Sequence, residues 1–162
     1  MKTTIYISVL LLLIISSCRK GEITETDNLL YNEIINSEFT YSNFTPVIVK
    51  GLANSPRGWE RLKFNNIANG ALDENGRLPA GSTFPDGSII VKEAYSDSNG
   101  VLIEYAIMKK DPTNKYAKKD WLWAEINANG TISYSVSYKG ESCIHCHTKP
   151  ENRDATRTFN LR

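Results

Sequence analysis

From Ile132 to Tyr138 the residues Ile132, Tyr134, Val136 and Tyr138 alternate with Ser133, Ser135 and Ser137. A period of two predicts a strand with one face buried and the other wet. Three earlier segments, Ser88–Tyr95, Val101–Met108 and Trp121–Asn127, are rich in Ile, Val and aromatic residues and also read as strands. Asp97-Ser98-Asn99-Gly100 separates the first two of these, and Asn129-Gly130 precedes the last strand. Both are turn sequences, so the pattern predicts two successive hairpins and an antiparallel sheet. Within Ser88–Tyr95, Lys92 shares a face with Ile90 and Ala94, while Ile89, Val91, Glu93 and Tyr95 take the other.

The first half of the chain is less regular. Leu30/Ile34 and Tyr31/Ile35 are spaced i,i+4, which predicts a short helix over Asn28–Ser37 with Thr26 or Asp27 as its N-cap. Ser42–Gly58 is mixed and interrupted by Pro46 and Pro56. Glu60–Ala68 reads as a short strand, and Leu72–Gly87, punctuated by Gly and Pro, as a loop. A short helix or coil over Glu151–Leu161 closes the chain. The expected class is therefore mainly β: an antiparallel sheet of hairpins with short helices at its N- and C-terminal ends.

Ahead of this domain, Met1-Lys2 is followed by an apolar run from Ile5 to Ile15 broken only by Ser8. That run is too short to span a bilayer comfortably and suits the core of a signal peptide. Ile15-Ser16-Ser17-Cys18 resembles the lipobox of bacterial lipoproteins. The organisation expected is a signal peptide over 1–17, a polar tether over 18–27 that begins with a lipid-carrying Cys18, and a domain over 28–162. Such a chain is exported and held at a membrane surface by its lipid, in the periplasm or on the cell surface. Charge adds little: Lys and Arg number 19, Asp and Glu 18, with no basic run, so a nucleic-acid partner is not expected.

The residues that carry chemistry come last. Cys143-Ile144-His145-Cys146-His147 spells C-x-x-C-H, the attachment signature of a c-type haem. Two thiols three positions apart each add to one vinyl group of a single haem, and the histidine after the second becomes the proximal ligand of the iron. Zinc would need four ligands, and the motif with its second histidine, His145, does not supply them in workable positions. A thioredoxin-like redox pair would want a βαβ context that this pattern lacks. The chain has three cysteines. Lipid on Cys18 and thioethers on Cys143 and Cys146 account for all of them, and covalent haem attachment takes place outside the cytoplasm, in keeping with export.

After removal of the signal peptide Met108 is the one methionine left. It falls on a strand and reads first as core filler. The expectation is one covalent haem c with five-coordinate iron and His147 as its protein ligand. A sixth ligand from Met108 would instead make an electron carrier.

Phe84-Pro85-Asp86-Gly87-Ser88-Ile89-Ile90-Val91-Lys92-Glu93, then Asp120-Trp121-Leu122-Trp123, then the late C-x-x-C-H together resemble cytochrome P-460. Phe64-Asn65-Asn66-Ile67-Ala68 and the tail from Asn152-Arg153-Asp154 to Phe159 resemble the lipoprotein-type members of that family. The likeness covers roughly Ser55 to Leu161. It implies a mainly β fold, often a homodimer, in which a lysine of the Val-Lys-Glu block is tied to a meso carbon of the haem; Lys92 stands at that position. It also implies a distal arginine upstream, for which Arg61 is the matching residue. Family members of this kind oxidise hydroxylamine and pass electrons to a redox partner. A sister group, the β-type cytochromes c prime, lacks the cross-link and binds nitric oxide. Three functions stay open at this point: oxidation of hydroxylamine or a similar nitrogen compound, capture of nitric oxide, and electron transfer.

Overall fold

The computed structural model describes residues 21–51, 58–157 and 159. The segment expected to be a signal peptide, and Cys18, lie outside the described residues. Helix α1 (Glu25–Asn36) comes first, then strands β1 (Phe39–Tyr41), β2 (Val49–Lys50) and β3 (Trp59–Asn65) and a short helix α2 (Asn66–Gly70). A loop leads to β4 (Ile89–Tyr95), β5 (Leu102–Lys110), β6 (Trp121–Asn127) and β7 (Ile132–Tyr134), followed by a 3-10 turn (Val136–Tyr138) and α3 (Ile144–His147). The strands form one antiparallel sheet in the order β1-β3-β4-β5-β6-β7, with β2 also paired to β3. The mainly β, hairpin-built architecture expected from the alternation is the one found. No helix among the described residues is long and apolar enough to cross a membrane.

Both faces of the sheet are covered. Ile89, Val91, Ile107, Leu122, Ala124 and Ile126 meet Leu30 and Ile34 of α1 and Val136 of the 3-10 turn on the rear face. Leu62, Phe64, Ile90, Met108, Trp121 and Trp123 point to the front, where Leu78, Phe84 and Phe159 cover them. Cys143 and Ile144 pack against this front cluster.

Several element boundaries differ from the pattern reading, each for a local reason. Helix α1 starts at Glu25 because Thr24, not Thr26 or Asp27, is the N-cap; Asp27 is the third residue of a capping box. Residues 21–27 are thus only partly a tether. The Glu22 carbonyl accepts from Ser135 and Ser137, and Asp27 is buried against the 3-10 turn. The segment read as one strand, Glu60–Ala68, divides at Asn65, whose side chain caps α2 by accepting from the Ala68 amide at 2.9 Å. Strand β7 stops at Tyr134 because Ser135 caps the 3-10 turn, so Val136 and Tyr138 are not strand residues. Ser135, expected to be wet, is buried beside Asp27. The closing helix is α3, formed by the cysteine motif itself, and residues 151–157 make turns instead.

Candidate haem site

The motif reaches the front face through a sharp reversal. Lys139 (φ 53°) and Gly140 (φ 66°) are both left-handed. The Gly140 carbonyl then accepts from the amides of Cys143 at 2.8 Å and Ile144 at 2.9 Å, which starts α3. One helical turn sets positions i, i+3 and i+4 on the same side, so Cys143, Cys146 and His147 stand together while His145 is exposed. Neither Cys143 nor Cys146 is in a disulfide.

Two neighbours hold the His147 ring and a third holds its backbone. Its Nδ1 lies 2.8 Å from the Ala155 carbonyl oxygen. A carbonyl can only accept, so Nδ1 carries the proton and Nε2 presents its lone pair, the form a metal ligand needs. Trp123 meets the ring edge-on at 5.0 Å and is itself fixed by its Nε1–H donating to the Lys118 carbonyl at 3.1 Å. Asn152 donates to the carbonyls of Cys146 and His147, both at 2.9 Å.

Sheet register places the rest. Phe64, Ile90, Met108 and Trp123 form one transverse row on the front face, and Leu62, Lys92, Ala106 and Glu125 form the next. Lys92 therefore lies on the same face as α3, one row beyond the methionine. Its Nζ is 3.1 Å from Oε2 of Glu60, whose carboxylate is buried while the lysine is about a third exposed. Glu104, on the same face, accepts from the Ser133 hydroxyl at 2.7 Å. Ala106, half-exposed between Lys92 and Glu125, leaves this end of the face low in bulk. Sequence reasoning passed over Glu60, Glu104 and Glu125. Their signal was available: each alternates with front-face residues, so a carboxylate stood at an inward-facing register position. Met108 is buried in the front core, as core filler would be.

Arg61 is not part of this arrangement. The alternation of β3 sends Glu60, Leu62 and Phe64 to the front and Arg61 and Lys63 to the rear. The Arg61 guanidinium lies 3.2 Å from the centre of the Tyr41 ring and donates to the carbonyls of Thr45 (3.4 Å) and Pro46 (2.5 Å). Lys92 and Arg61 are on opposite faces of the sheet, so the structure does not bring Arg61 beside Lys92. Around Arg61 the rear face is polar. Buried Glu93 pairs with Lys63 at 2.8 Å and accepts from the hydroxyls of Tyr95 (2.5 Å) and Tyr41 (3.3 Å). Burial, then the hydrogen bond and charge of Glu93, hold the Tyr95 hydroxyl well above its ordinary range. Burial followed by the Glu93 charge raises Tyr41 and Tyr105 as well.

The residues present fit a covalently attached haem. Two thiols and an imidazole share one side of α3, the imidazole is in the ligating tautomer, and the adjoining sheet surface carries a small residue, Ala106. Among the described residues no group of three or more His, Cys, Asp or Glu side chains converges to hold a metal ion. Fold and site together define a haem-binding cytochrome built on a β-sheet and not on helices. The family model described as Cytochrome P460 matches residues 63–158, more than half of the chain, and the chain belongs to that family. No curated protein matches the chain.

Proposed function

We propose that this protein is an exported, lipid-anchored cytochrome that binds one haem c through Cys143 and Cys146 and oxidises hydroxylamine or a similar small nitrogen compound. His147 is the protein ligand of a five-coordinate iron, and Cys18 carries the lipid. The observation that carries the catalytic reading is the placement of Lys92 on the sheet face against which α3 packs. That shared face supports a haem attached at α3 lying toward the position that the family resemblance links to a meso carbon. Bound haem supplies the redox-active iron; the chain supplies its attachment, its axial imidazole and the polar wall of Glu60, Lys92 and Glu104. The electrons pass to a redox partner protein, and the cytochrome works at the membrane surface as a monomer or homodimer.

One observation favours a second reading. The Lys92–Glu60 pair at 3.1 Å holds the amine as an ammonium, which has no lone pair for bond formation. A protein that keeps this pair would bind nitric oxide at open iron without a cross-link. Absorption of the reduced holoprotein separates the two. A Soret band far to the red, with an intact mass lower by one hydrogen from each joined atom, supports the oxidase. In that case Lys92→Ala restores an ordinary five-coordinate spectrum and abolishes hydroxylamine oxidation. An ordinary spectrum that is the same in wild type and Lys92→Ala, with nitric oxide binding intact, would leave the second reading. Low-spin six-coordinate iron in both redox states would refute both.

A further inference from the structure

The turn that presents the Ala155 carbonyl to His147 is strained, and the sheet holds it in place. Asp154 (φ 46°) and Ala155 (φ 60°) are two successive non-glycine residues in the left-handed region. They adopt it within a turn closed by the Thr156 amide donating to the Arg153 carbonyl at 2.8 Å. Four hydrogen bonds fasten the turn from outside. Arg153 donates to the Leu78 carbonyl. The Phe84 amide donates to Asp154 Oδ2 at 2.8 Å. Lys110, the last residue of β5, reaches Asp154 Oδ1 at 2.8 Å and Oδ2 at 3.1 Å. Both side chains of this ion pair are at least nine-tenths buried, and the Lys110 ammonium also lies over the Trp121 ring.

We propose that Lys110 and Asp154 are positioning residues for the proximal ligand. By holding the strained turn they aim the Ala155 carbonyl at His147 Nδ1–H and so set how much imidazolate character the iron ligand has. This rests on the reading of His147 as the axial ligand. The physical chain is short. A buried ion pair loses its value when one partner goes; the turn then relaxes from its left-handed conformation, and the carbonyl one residue on leaves the imidazole. A weaker hydrogen bond at Nδ1 makes a poorer electron donor at Nε2, weakens the iron–histidine bond and favours reduced iron.

The test uses the holoprotein and the charge-neutral double variant Lys110→Met/Asp154→Asn, with Asp154→Asn alone as a second variant that keeps an oxygen for the Phe84 amide while removing the charge that pairs with Lys110. Expected are an iron–histidine stretching band at lower frequency in the ferrous protein and a higher midpoint potential, both returned toward wild type by Lys110→Arg. The neighbouring rear-face pair Lys109–Glu33, 2.7 Å apart, is the control. Lys109→Met/Glu33→Gln should leave band and potential alone. Haem-loaded variants with unchanged band and potential would overturn the positioning role while leaving the haem reading intact. So would an equal shift in the Lys109/Glu33 control, which would mark a general loosening. A wild-type protein that takes up no haem in the presence of the maturation machinery would overturn both.

Discussion

Substituting Gly140 with alanine should disturb the site from beneath. A Cβ built at Gly140 would lie 2.5 Å from Cδ1 of Trp123, 2.7 Å from Cγ and 2.9 Å from Nε1. The indole cannot simply withdraw. It is 2% exposed, packed in the front core, tied to the Lys118 carbonyl and edge-on to His147. Two costs add. A non-glycine residue at φ 66° costs roughly 1–2 kcal/mol, and forcing atoms into a filled core costs about 1–3 kcal/mol. The sum, about 2–5 kcal/mol, is a large part of the roughly 5–15 kcal/mol that usually holds a domain of this size. Urea unfolding of the holoprotein followed by far-ultraviolet circular dichroism measures it. The folded fraction should also show a broadened iron–histidine band, because Trp123 supports the ring. Lys139→Gly supplies the contrast. That residue is also left-handed (φ 53°) but its side chain is exposed, so glycine there should be neutral or stabilising by up to about 1 kcal/mol. If Gly140→Ala unfolds within about 0.5 kcal/mol of wild type, the close packing of Gly140 on Trp123 is wrong.

Two further outcomes concern the rear of the sheet. Asp27 is fully buried and accepts from the Thr24 amide (2.7 Å), the Ser135 hydroxyl (2.7 Å) and the Val136 amide (2.8 Å). Asp27→Ala should cost about 2–4 kcal/mol, one part for the lost cap and the rest for a buried amide left without an acceptor; an equilibrium urea curve unchanged from wild type would show that α1 is not locked there. The raised Tyr95 hydroxyl predicts alkaline sensitivity. The unfolded chain releases this proton near about pH 10, while the folded chain holds it to higher pH, so stability is full below about pH 10 and falls as pH rises from there toward the folded value. Tyr95→Phe should make the decline of the urea midpoint between about pH 10 and 12 shallower, with Tyr41 and Tyr105 supplying the remainder; an identical slope would rule out Tyr95 as a source.

The strands from Ile89 onward were legible because their burial is regular. Trp121–Asn127 alternates two packed faces, and both turns carry the residues their geometry demands. Period two grouped Lys92 with Ile90 and Ala94, apart from Ile89 and Val91, and the sheet keeps that division; that this face is the one toward the cysteine motif came only from the resemblance. What escaped the pattern was set by single polar side chains acting over long sequence distances. Ser135 is buried because Asp27, more than a hundred residues earlier, accepts its proton. Asn65 ends β3 because it caps α2 and also binds the Gly87 carbonyl and the Ile89 amide. Arg61 was matched through the stretch upstream of Lys92 in which it lies, yet parity of position along the paired strand decides which face a side chain takes. Pairing of Leu62 with Lys92 sends Leu62 to the front and its neighbour Arg61 to the rear. The proximal turn was opaque for another reason: Asp154 and Ala155 carry no glycine signal for a left-handed conformation that an ion pair to Lys110 stabilises.

That parity has a consequence for the chemistry. In β4 the adjacent residues Lys92 and Glu93 have opposite tasks, one facing the motif and the other neutralising Lys63 among tyrosines. A slip of one residue would exchange them, burying the lysine with Arg61 and Lys63 and bringing a carboxylate to the face on which the cysteine motif packs. The slip is opposed by charge: it would set Lys92 against Lys63 and Glu93 against Glu60, while the buried residues Ile90 and Ala94 in front and Ile89 and Val91 behind are apolar on both faces. Lys92 is thus carried by a strand packed on both faces, whereas His147 sits on a single helical turn and its ring meets the Ala155 carbonyl of the tail. The lysine side of the site is therefore set by packing. The histidine side is set by a few hydrogen bonds, which makes it the part where a related sequence could retune the iron without rebuilding the sheet.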